Sequence, residues 1–198
     1  MLRIEPASLL DLPGAYRVCV GTADRGDDAS HLHGDPDLLG HVYVGPYLAR
    51  GAGTQLVVVD AVGVCGYLLS TDDTDAHHAW AEAHWWPALR ARYADPEAEP
   101  SDAWLVRQIH LPPRPPAEVV ARYPAHLHVD LLARARGAGL GRVLIERLLG
   151  ELQGRGVRGV HLGVDPANAN AIGFYRHLGF ADLQLLPDEL VMGLRLRT

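Results

Sequence analysis

A glycine-rich run over residues 136–142 carries the clearest chemistry in the sequence. Three glycines lie between Arg136 and Arg142, and apolar residues at helical spacing follow them. Glycine adopts backbone conformations closed to other residues, and it leaves no side chain in the way of a ligand. The start of a helix presents unpaired N–H groups and the positive end of the helix dipole, which together favour a phosphate. The run therefore predicts a site for a pyrophosphate, with the two arginines as mobile positive charge.

The common nucleotide-binding patterns do not fit this run. The dinucleotide fingerprint G-x-G-x-x-G requires a third glycine at the position that Arg142 occupies. The phosphate-binding loop of nucleoside triphosphatases requires a lysine, and the sequence contains none. From the run alone, a turn that merely joins a strand to a helix stays open as an alternative.

A second candidate lies upstream, where residues 125–132 alternate between polar and apolar side chains. This period of two predicts a strand with His126, His128 and Asp130 on one face. Two histidines and an aspartate on one face could bind a metal ion, as at the start of the metallo-β-lactamase ligand set. That set continues with a histidine directly after the aspartate, whereas Leu131 stands here. We therefore predict no metal, and a metal-dependent hydrolase is the least favoured class.

The elements around these two candidates alternate between strands and helices. Apolar and β-branched runs predict strands over 2–6, 54–59, 63–70, 125–132, 157–164, 180–186 and 190–196. Helical spacing predicts helices over 9–19, 35–48, 72–93, 140–152 and 168–178. Ser8 and Asp11 form a capping arrangement at the start of the first helix. The proline-rich stretches 95–101 and 111–116 are interpreted as a long surface connection within one domain.

The C-terminal half matches two motifs of one superfamily. The glycine-rich run fits Gln/Arg-x-x-Gly-x-Gly/Ala at Arg136, Gly139 and Gly141. The later helix fits every fixed position of Asn-x-x-Ala-x-x-Phe-Tyr-x-x-x-Gly-Phe, at Asn168, Ala171, Phe174, Tyr175, Gly179 and Phe180. Over residues 125–196 the chain thus resembles the GNAT superfamily of acyl-CoA-dependent N-acetyltransferases, with both motifs in the usual order and separation.

A closer resemblance is carried by residues 123–130, by residues 35–43 and by the two tryptophans at 85–86. Together with the C-terminal motif, these segments look like the acetyltransferase-like domain attached to O-GlcNAcase and its free-standing bacterial relatives. The resemblance implies one α/β (α+β) domain over residues 1–198, with an acyl-CoA-binding core over about 125–180. It also implies a GNAT-like mixed, largely antiparallel sheet flanked by helices, splayed where two central parallel strands part to admit pantetheine.

The resemblance further implies acetyl-CoA as co-substrate and a set of residues that hold it. Backbone N–H groups from Gly137 to Arg142 would bind the pyrophosphate, and the end of the strand would pair with the pantetheine arm. Asn168 would hydrogen-bond this arm, and Phe174 would pack beside it. The implied cofactor-binding residues are Leu131, Leu132, Arg136, Gly137, Ala138, Gly139, Leu140, Gly141, Arg142, Asn168, Phe174 and Tyr175.

Two residues are expected to move protons during catalysis. Tyr175 would lie near the thioester sulfur, where a phenol can protonate the departing thiolate; the alternative is an ordinary packed aromatic ring. Asp130 is the candidate base for the amine, with Asp165 second. Asp130 could instead cap a loop or pair with an arginine. The implied reaction is direct attack of a small-molecule or peptidyl amine on acetyl-CoA, and the alternative function is a non-catalytic acetyl-CoA-binding module.

Composition narrows the expected partners. The formal net charge of −6 argues against a general nucleic-acid binder, which needs a basic face. We find no apolar stretch long enough to span a bilayer and no signal peptide. We therefore expect a cytoplasmic protein without nucleic-acid or membrane partners, with Cys19 and Cys65 as buried free thiols. Oligomers are common among the relatives, so a homodimer is left open.

Two further segments could border the acceptor. The loop over 21–34 carries Asp24, Asp27 and Asp28, which could hold a cationic acceptor or simply be solvated. The tryptophans at 85–86 could line an acceptor pocket, although aromatic residues on such a helix more often supply core. The sequence leaves the identity of the acceptor undetermined.

Overall fold

A mixed sheet of seven strands forms the centre of the computed structural model, which describes residues 1–95 and 98–197. The strands are β1 (Arg3–Pro6), β2 (Gln55–Val59), β3 (Val64–Thr71), β4 (Ala125–Leu131), β5 (Gly159–Val164), β6 (Ala181–Leu185) and β7 (Leu190–Arg195). Their order across the sheet is β1-β2-β3-β4-β5-β7-β6, and only β4 and β5 pair in parallel among these described strands. The predicted strands and the largely antiparallel mixed sheet are confirmed.

Helices cover both faces of this sheet. They are α1 (Leu12–Val20), α2 (Leu38–Tyr43), α3 (Gly45–Arg50), α4 (Thr74–His84), α5 (Trp86–Arg92), α6 (Ala103–His110), α7 (Ala117–Arg122), α8 (Leu140–Gly154) and α9 (Ala169–His177). One apolar core joins the sheet to α8 and α9. A second core joins the opposite face to α1 through α6. The fold is therefore a single α/β domain with the sheet between two layers of helices.

Strands β4 and β5 diverge at the centre of the sheet. They pair only at Ala125–Val160 and at His126–His161. Beyond these positions β4 keeps β3 as its neighbour up to Leu131, while β5 pairs with β7. The gap between residues 127–131 of β4 and residues 162–164 of β5 is called the wedge below. It confirms the predicted splay of the two parallel strands.

Two of the predicted helices are interrupted at prolines. The helix predicted over 35–48 consists of α2 and α3, because Pro46 lies in the first turn of α3 and cannot donate to the preceding turn. The helix predicted over 72–93 ends at His84 and resumes at Trp86, with Pro87 in the first turn of α5. Proline is accepted in a first turn since the N–H groups there have no intrahelical partner.

The interpretation of residues 95–101 and 111–116 as one long surface connection is wrong at its centre. Helix α6 lies between the two stretches and buries Leu105, Val106 and Ile109 in the second core. Its spacing is helical, but its eight residues are too few to stand out between proline-rich segments. Residues 96 and 97, which belong to the predicted connection, lie outside the described residues.

Several local predictions are confirmed. Ser8 and Asp11 form a capping box before α1, with the Ser8 side chain accepting from a backbone N–H and Asp11 accepting from the Ser8 N–H. Cys19 and Cys65 are free and buried. Within the described part of the chain, no helix is both long and apolar enough to cross a bilayer.

Candidate functional site

The glycine-rich run forms an open cradle at the start of α8. Gly137 and Gly139 have φ of +78° and +74°, which residues with side chains rarely adopt. A Cβ at either position would have no atom within 4 Å, so space is open beside both. The N–H groups over 137–142 find no acceptor in the described chain, and no acidic residue lies in the first turn of α8. This cradle fits an anionic group such as a pyrophosphate.

Gly141 has a packing function in the same run. A Cβ built on it would lie 3.2 Å from Cζ of Phe174, which is tighter than ordinary contact. The absence of a side chain at Gly141 therefore lets α8 approach α9 closely. Phe174 is half-buried against the first core and forms an edge contact with Tyr175 at 5.3 Å between ring centroids.

The Arg136 side chain is fixed, although the sequence suggested a mobile charge. Its Nε donates to the carbonyl of Leu131 at 2.8 Å, and a terminal nitrogen donates to the carbonyl of Gly26. The guanidinium thus links the end of β4 to the acidic loop over 21–34. Arg142 is exposed and lies 3.4 Å from Glu146, one helical turn along α8.

The end of β4 faces the wedge with part of its backbone. The Leu132 N–H donates to the Cys65 carbonyl at 2.9 Å, and the Leu132 carbonyl accepts from the Ala135 N–H at 2.8 Å. The Leu132 N–H is therefore committed to β3, contrary to its expected pairing with a cofactor arm. Since successive residues of an antiparallel strand turn their N–H and C=O groups to opposite sides, Val129 and Leu131 turn theirs toward the wedge.

Asn168 caps α9 at the opposite side of the wedge. Its side-chain oxygen accepts from the Ala171 N–H at 3.0 Å, which satisfies one of the free donors of the first turn. The side-chain NH₂ of Asn168 donates to no acceptor in the described chain, so it stays free for another partner. The predicted motif residue thus has a structural function that does not exclude a binding function.

Tyr175 lies in the first core next to Phe174 and Phe180. Its side chain is 8 % exposed. Burial raises the pKa of its phenol, and the nearby Asp130 carboxylate raises it further. The hydroxyl therefore carries its proton at neutral pH, and no residue of the described chain hydrogen-bonds to it. Such a group can donate a proton.

Asp130 lies on the opposite face of β4, where the Tyr67 hydroxyl donates to it at 2.5 Å. Tyr67 comes from β3 and is the register partner of Asp130. Burial raises the pKa of Asp130, while the hydrogen bond from Tyr67 and the charge of Arg136 oppose the shift. A carboxylate with a raised pKa is a better proton acceptor, so this environment favours the predicted base.

Asp165, the second candidate base, is already engaged. It forms an ion pair with Arg25 at 2.9 Å and accepts from the Ala167 N–H at 2.7 Å. The hydrogen bond from Ala167 and the charge of Arg25 lower the pKa of this carboxyl. Its environment therefore suits a structural link between two loops better than proton transfer.

A cavity of about 440 Å³ lies against the face of β4 that carries His128 and Asp130, and we call it the acceptor cavity. Its lining residues come from α1, the loop over 21–34, α2, β3, β4 and the α6 region: Cys19, Thr22, Ala23, Asp24, Ala29, Leu32, His33, Leu39, Tyr43, Tyr67, Ser101, Trp104, His128 and Asp130. Asp24 is the loop carboxylate that reaches it. Asp28 instead accepts from the Ser30 N–H, and Asp27 is exposed.

The sequence made His126 and His128 of β4 candidate metal ligands. One ring nitrogen of His126 hydrogen-bonds to the Tyr47 hydroxyl and the other to the Thr74 hydroxyl, so both are occupied. No group of three metal-ligating side chains is assembled within residues 1–95 and 98–197. The two tryptophans at 85–86 are outside the cavity lining; Trp86 is buried core, and Trp85 donates to the His41 carbonyl at 2.9 Å.

Sequence reasoning missed several residues of the acceptor cavity. Tyr67 donates to Asp130, and Thr22 lines the cavity while its hydroxyl donates to the Val18 carbonyl. Trp104 is 42 % exposed at the cavity wall. The apolar pattern of residues 64–71 identified the strand that holds Tyr67, but only the strand register places it opposite Asp130. Trp104 belongs to a helix that the sequence did not reveal.

Known proteins match the chain in sequence and in fold. Residues 70–180 match the family model for the acetyltransferase (GNAT) family. The crystal structure of SsHAT matches with a TM-score of 0.88 and 34 % identity, over 98 % of this chain and 98 % of that one. The PaiA N-acetyltransferase of Thermoplasma acidophilum, solved in complex with coenzyme A, matches with a TM-score of 0.57 and 11 % identity over 98 % and 99 % of the chains, which shows the fold alone.

The chain belongs to the GNAT acetyltransferase family, whose members use acetyl-CoA and act on amines. Protein O-GlcNAcase of Rattus norvegicus is 26 % identical to it over 196 residues, which cover 96 % of this chain and 21 % of that protein. The chain therefore spans about a fifth of this curated relative's length. The predicted superfamily and the likeness to the acetyltransferase-like region of O-GlcNAcase are confirmed.

Proposed function

We propose that the protein transfers an acetyl group from acetyl-CoA to an amine by direct attack, with residues 1–198 acting as one domain. The observation that carries this proposal is the end of β4, where the wedge and the acceptor cavity lie on either side of one strand. The backbone of Leu131 turns toward the wedge, and the side chain of Asp130 lines the cavity. A donor and an acceptor bound on these two sides would meet at adjacent residues.

The residues around the wedge would hold acetyl-CoA. The cradle over 137–142 would bind the pyrophosphate through backbone N–H groups, while Val129, the N–H of Leu131 and the amide of Asn168 would bind the pantetheine arm. Phe174 would pack beside it. When bound, the cofactor supplies an activated acetyl thioester, whose carbon–sulfur bond breaks as the amine nitrogen bonds to the acetyl carbon.

Two side chains would handle the protons. Asp130 would take the proton that the acceptor ammonium must lose, directly or through one water. Tyr175 would give its phenolic proton to the departing thiolate. The raised pKa of Asp130 makes this carboxylate more basic, which supports its role. The raised pKa of Tyr175 makes its phenol a weaker acid, so its role is supported by its position beside Phe174 and by a hydroxyl without a hydrogen-bond partner in the described chain.

Other features fit the same proposal. A net charge of −6 and a carboxylate-lined cavity suit a cationic acceptor better than a nucleic acid. The free thiols of Cys19 and Cys65 are typical of a reducing compartment, so we assign the activity to the cytoplasm. A non-catalytic acetyl-CoA-binding module would not require the buried pair of Tyr67 and Asp130 beside the wedge, which favours the enzyme.

Titration calorimetry with acetyl-CoA tests the cofactor site. Gly139→Glu places a carboxylate in the cradle and should abolish binding, while the wild type binds in the micromolar range, about −8 kcal/mol. Gly156→Glu is the matched control, because Gly156 has a φ of +73° and equally open space at the far end of α8. It should bind like the wild type. Equal binding by all three proteins, or no binding by the wild type, would refute the assignment.

A further inference from the structure

Carboxylates dominate the charges at the acceptor cavity. Arg136 lies close enough to lower the pKa of Asp130 but does not line the cavity, and the lining residue His33 is paired with Asp102. Asp24 and Asp130 contribute carboxylates, and no arginine is among the lining residues. Burial lowers the pKa of His128 to about 4, so its ring is neutral at physiological pH. The cavity therefore attracts cations and repels carboxylates and phosphates.

Aromatic rings form much of the remaining wall. Tyr43, Tyr67 and Trp104 line the cavity. The face of an aromatic ring attracts an ammonium group, and the adjoining apolar side chains of Leu32 and Leu39 suit a hydrocarbon body. A ligand that matches both features has a positive end and an apolar end.

Helix α6 and the residue Ser101 just before it contribute to the wall of this cavity. Asp102, just before the helix, lies 2.8 Å from the His33 ring and accepts from the Asp35 N–H at 2.8 Å. Tyr43 donates to Gln108 at 3.0 Å. These bonds tie α6 to the acidic loop and to α2, so the helix that carries Trp104 is held in place beside the cavity.

The cavity also lacks a backbone edge for a peptide within the described residues. Its sheet residues, Tyr67, His128 and Asp130, lie in the paired ladder of β3 and β4. An extended peptide could not add to this ladder as a further strand, which is a common way to bind one. The volume of about 440 Å³ lies within the usual range for small-molecule sites.

We propose that the acceptor is a small primary amine with a single positive charge, an aromatic or alkyl body and no carboxylate, held between Asp24, Asp130 and the ring of Trp104. This inference rests on the proposed function, since it names the substrate of the same site. It excludes a lysine within a peptide chain as the preferred acceptor.

Direct binding to the protein saturated with coenzyme A tests this class without requiring turnover. The probes are phenethylamine, hexylamine, 3-phenylpropionate and a blocked tripeptide with a central lysine. Both amines should bind, and the carboxylate and the tripeptide should not. Asp24→Asn should weaken phenethylamine binding about tenfold, since it removes a charged hydrogen-bond partner. Trp104→Ala should weaken it roughly threefold.

Asp27→Asn is the matched control, because Asp27 lies in the same loop but is exposed and outside the cavity lining. It should bind phenethylamine like the wild type. Tighter binding of the tripeptide or the carboxylate than of both amines, failure of both amines to bind, or equal loss in Asp24→Asn and Asp27→Asn would overturn the acceptor class.

Thiol release from acetyl-CoA separates this inference from the proposed function. Acetylation of the tripeptide but of neither amine would leave the acetyltransferase proposal standing and reject the small-amine acceptor. Asp24-dependent binding of amines without thiol release would support the cavity's selectivity and reject the transfer reaction.

Discussion

The two faces of β4 belong to regions that are built in different ways. On one face, Leu127 and Val129 join the apolar core below α8 and α9. On the other, His126, His128 and Asp130 lie among hydroxyl groups, imidazoles and the acceptor cavity. The first region presents backbone groups to the wedge, and the second presents side chains to the cavity. We therefore expect cofactor binding to tolerate most side-chain changes outside the cradle, and acceptor chemistry to depend on individual side chains.

Replacement of Asp130 by asparagine should separate acceptor chemistry from cofactor binding more strongly than any other change below. It keeps an oxygen that can accept from Tyr67 but removes the base, so turnover should fall roughly 10³-fold while acetyl-CoA affinity stays unchanged. Thiol-release kinetics and calorimetry measure the two quantities. Asp165→Asn is the control and should retain turnover, because Asp165 is engaged with Arg25. If Asp165→Asn loses more turnover than Asp130→Asn, then Asp165 and not Asp130 is the base.

Tyr175→Phe probes the proton donor on the apolar side of β4. Turnover should fall roughly 10²-fold, which is a smaller loss than that expected for Asp130→Asn. A thiolate can depart before it is protonated, whereas the acceptor ammonium must lose its proton before it can attack. Acetyl-CoA affinity should stay the same, as the ring remains. Tyr123→Phe serves as a control outside the site. Unchanged turnover in Tyr175→Phe would leave this residue as a packed aromatic ring.

The buried histidines His77 and His128 should make the free energy of unfolding depend on pH. Burial lowers the pKa of His77 to about 3 and that of His128 to about 4, whereas an unfolded chain binds these protons below about 6.5. Between these limits the unfolded state binds more protons, so acidification reduces the free energy of unfolding. Each histidine contributes up to about 1.4 kcal/mol per pH unit.

Urea unfolding at pH 4, 5, 6 and 7 measures this slope. His77→Phe should make it shallower by one histidine's share, because it replaces a 5 % exposed ring whose Nδ1 has no hydrogen-bond partner in the described chain. His31→Gln, at an exposed position, should keep the wild-type slope. A slope that is identical in all three proteins would show that the buried cluster does not control acid stability.

The sequence predicted the glycine-rich cradle and α9 far better than the cavity on the polar face of β4. The cradle and α9 follow from consecutive residues, so a local motif identifies Gly139 and Asn168 without knowledge of the fold. The cavity needs the register that brings Tyr67 to Asp130 and the packing that brings Trp104 to it. Such contacts between distant segments leave no local signal, and the short helix that carries Trp104 lies between proline-rich stretches.

The wedge would also make the protein's thermal stability depend on the concentration of a ligand bound there. The pairing of β4 with β5 ends at His126 and His161, so a ligand bound in the wedge would contact both halves of the sheet and would be lost on unfolding. Such a ligand at a hundred times its Kd stabilises the folded state by about 2.7 kcal/mol. For a chain of this size that shift corresponds to roughly 5–10 °C in Tm. With acetyl-CoA in the wedge, the melting temperature would rise with the logarithm of the cofactor concentration.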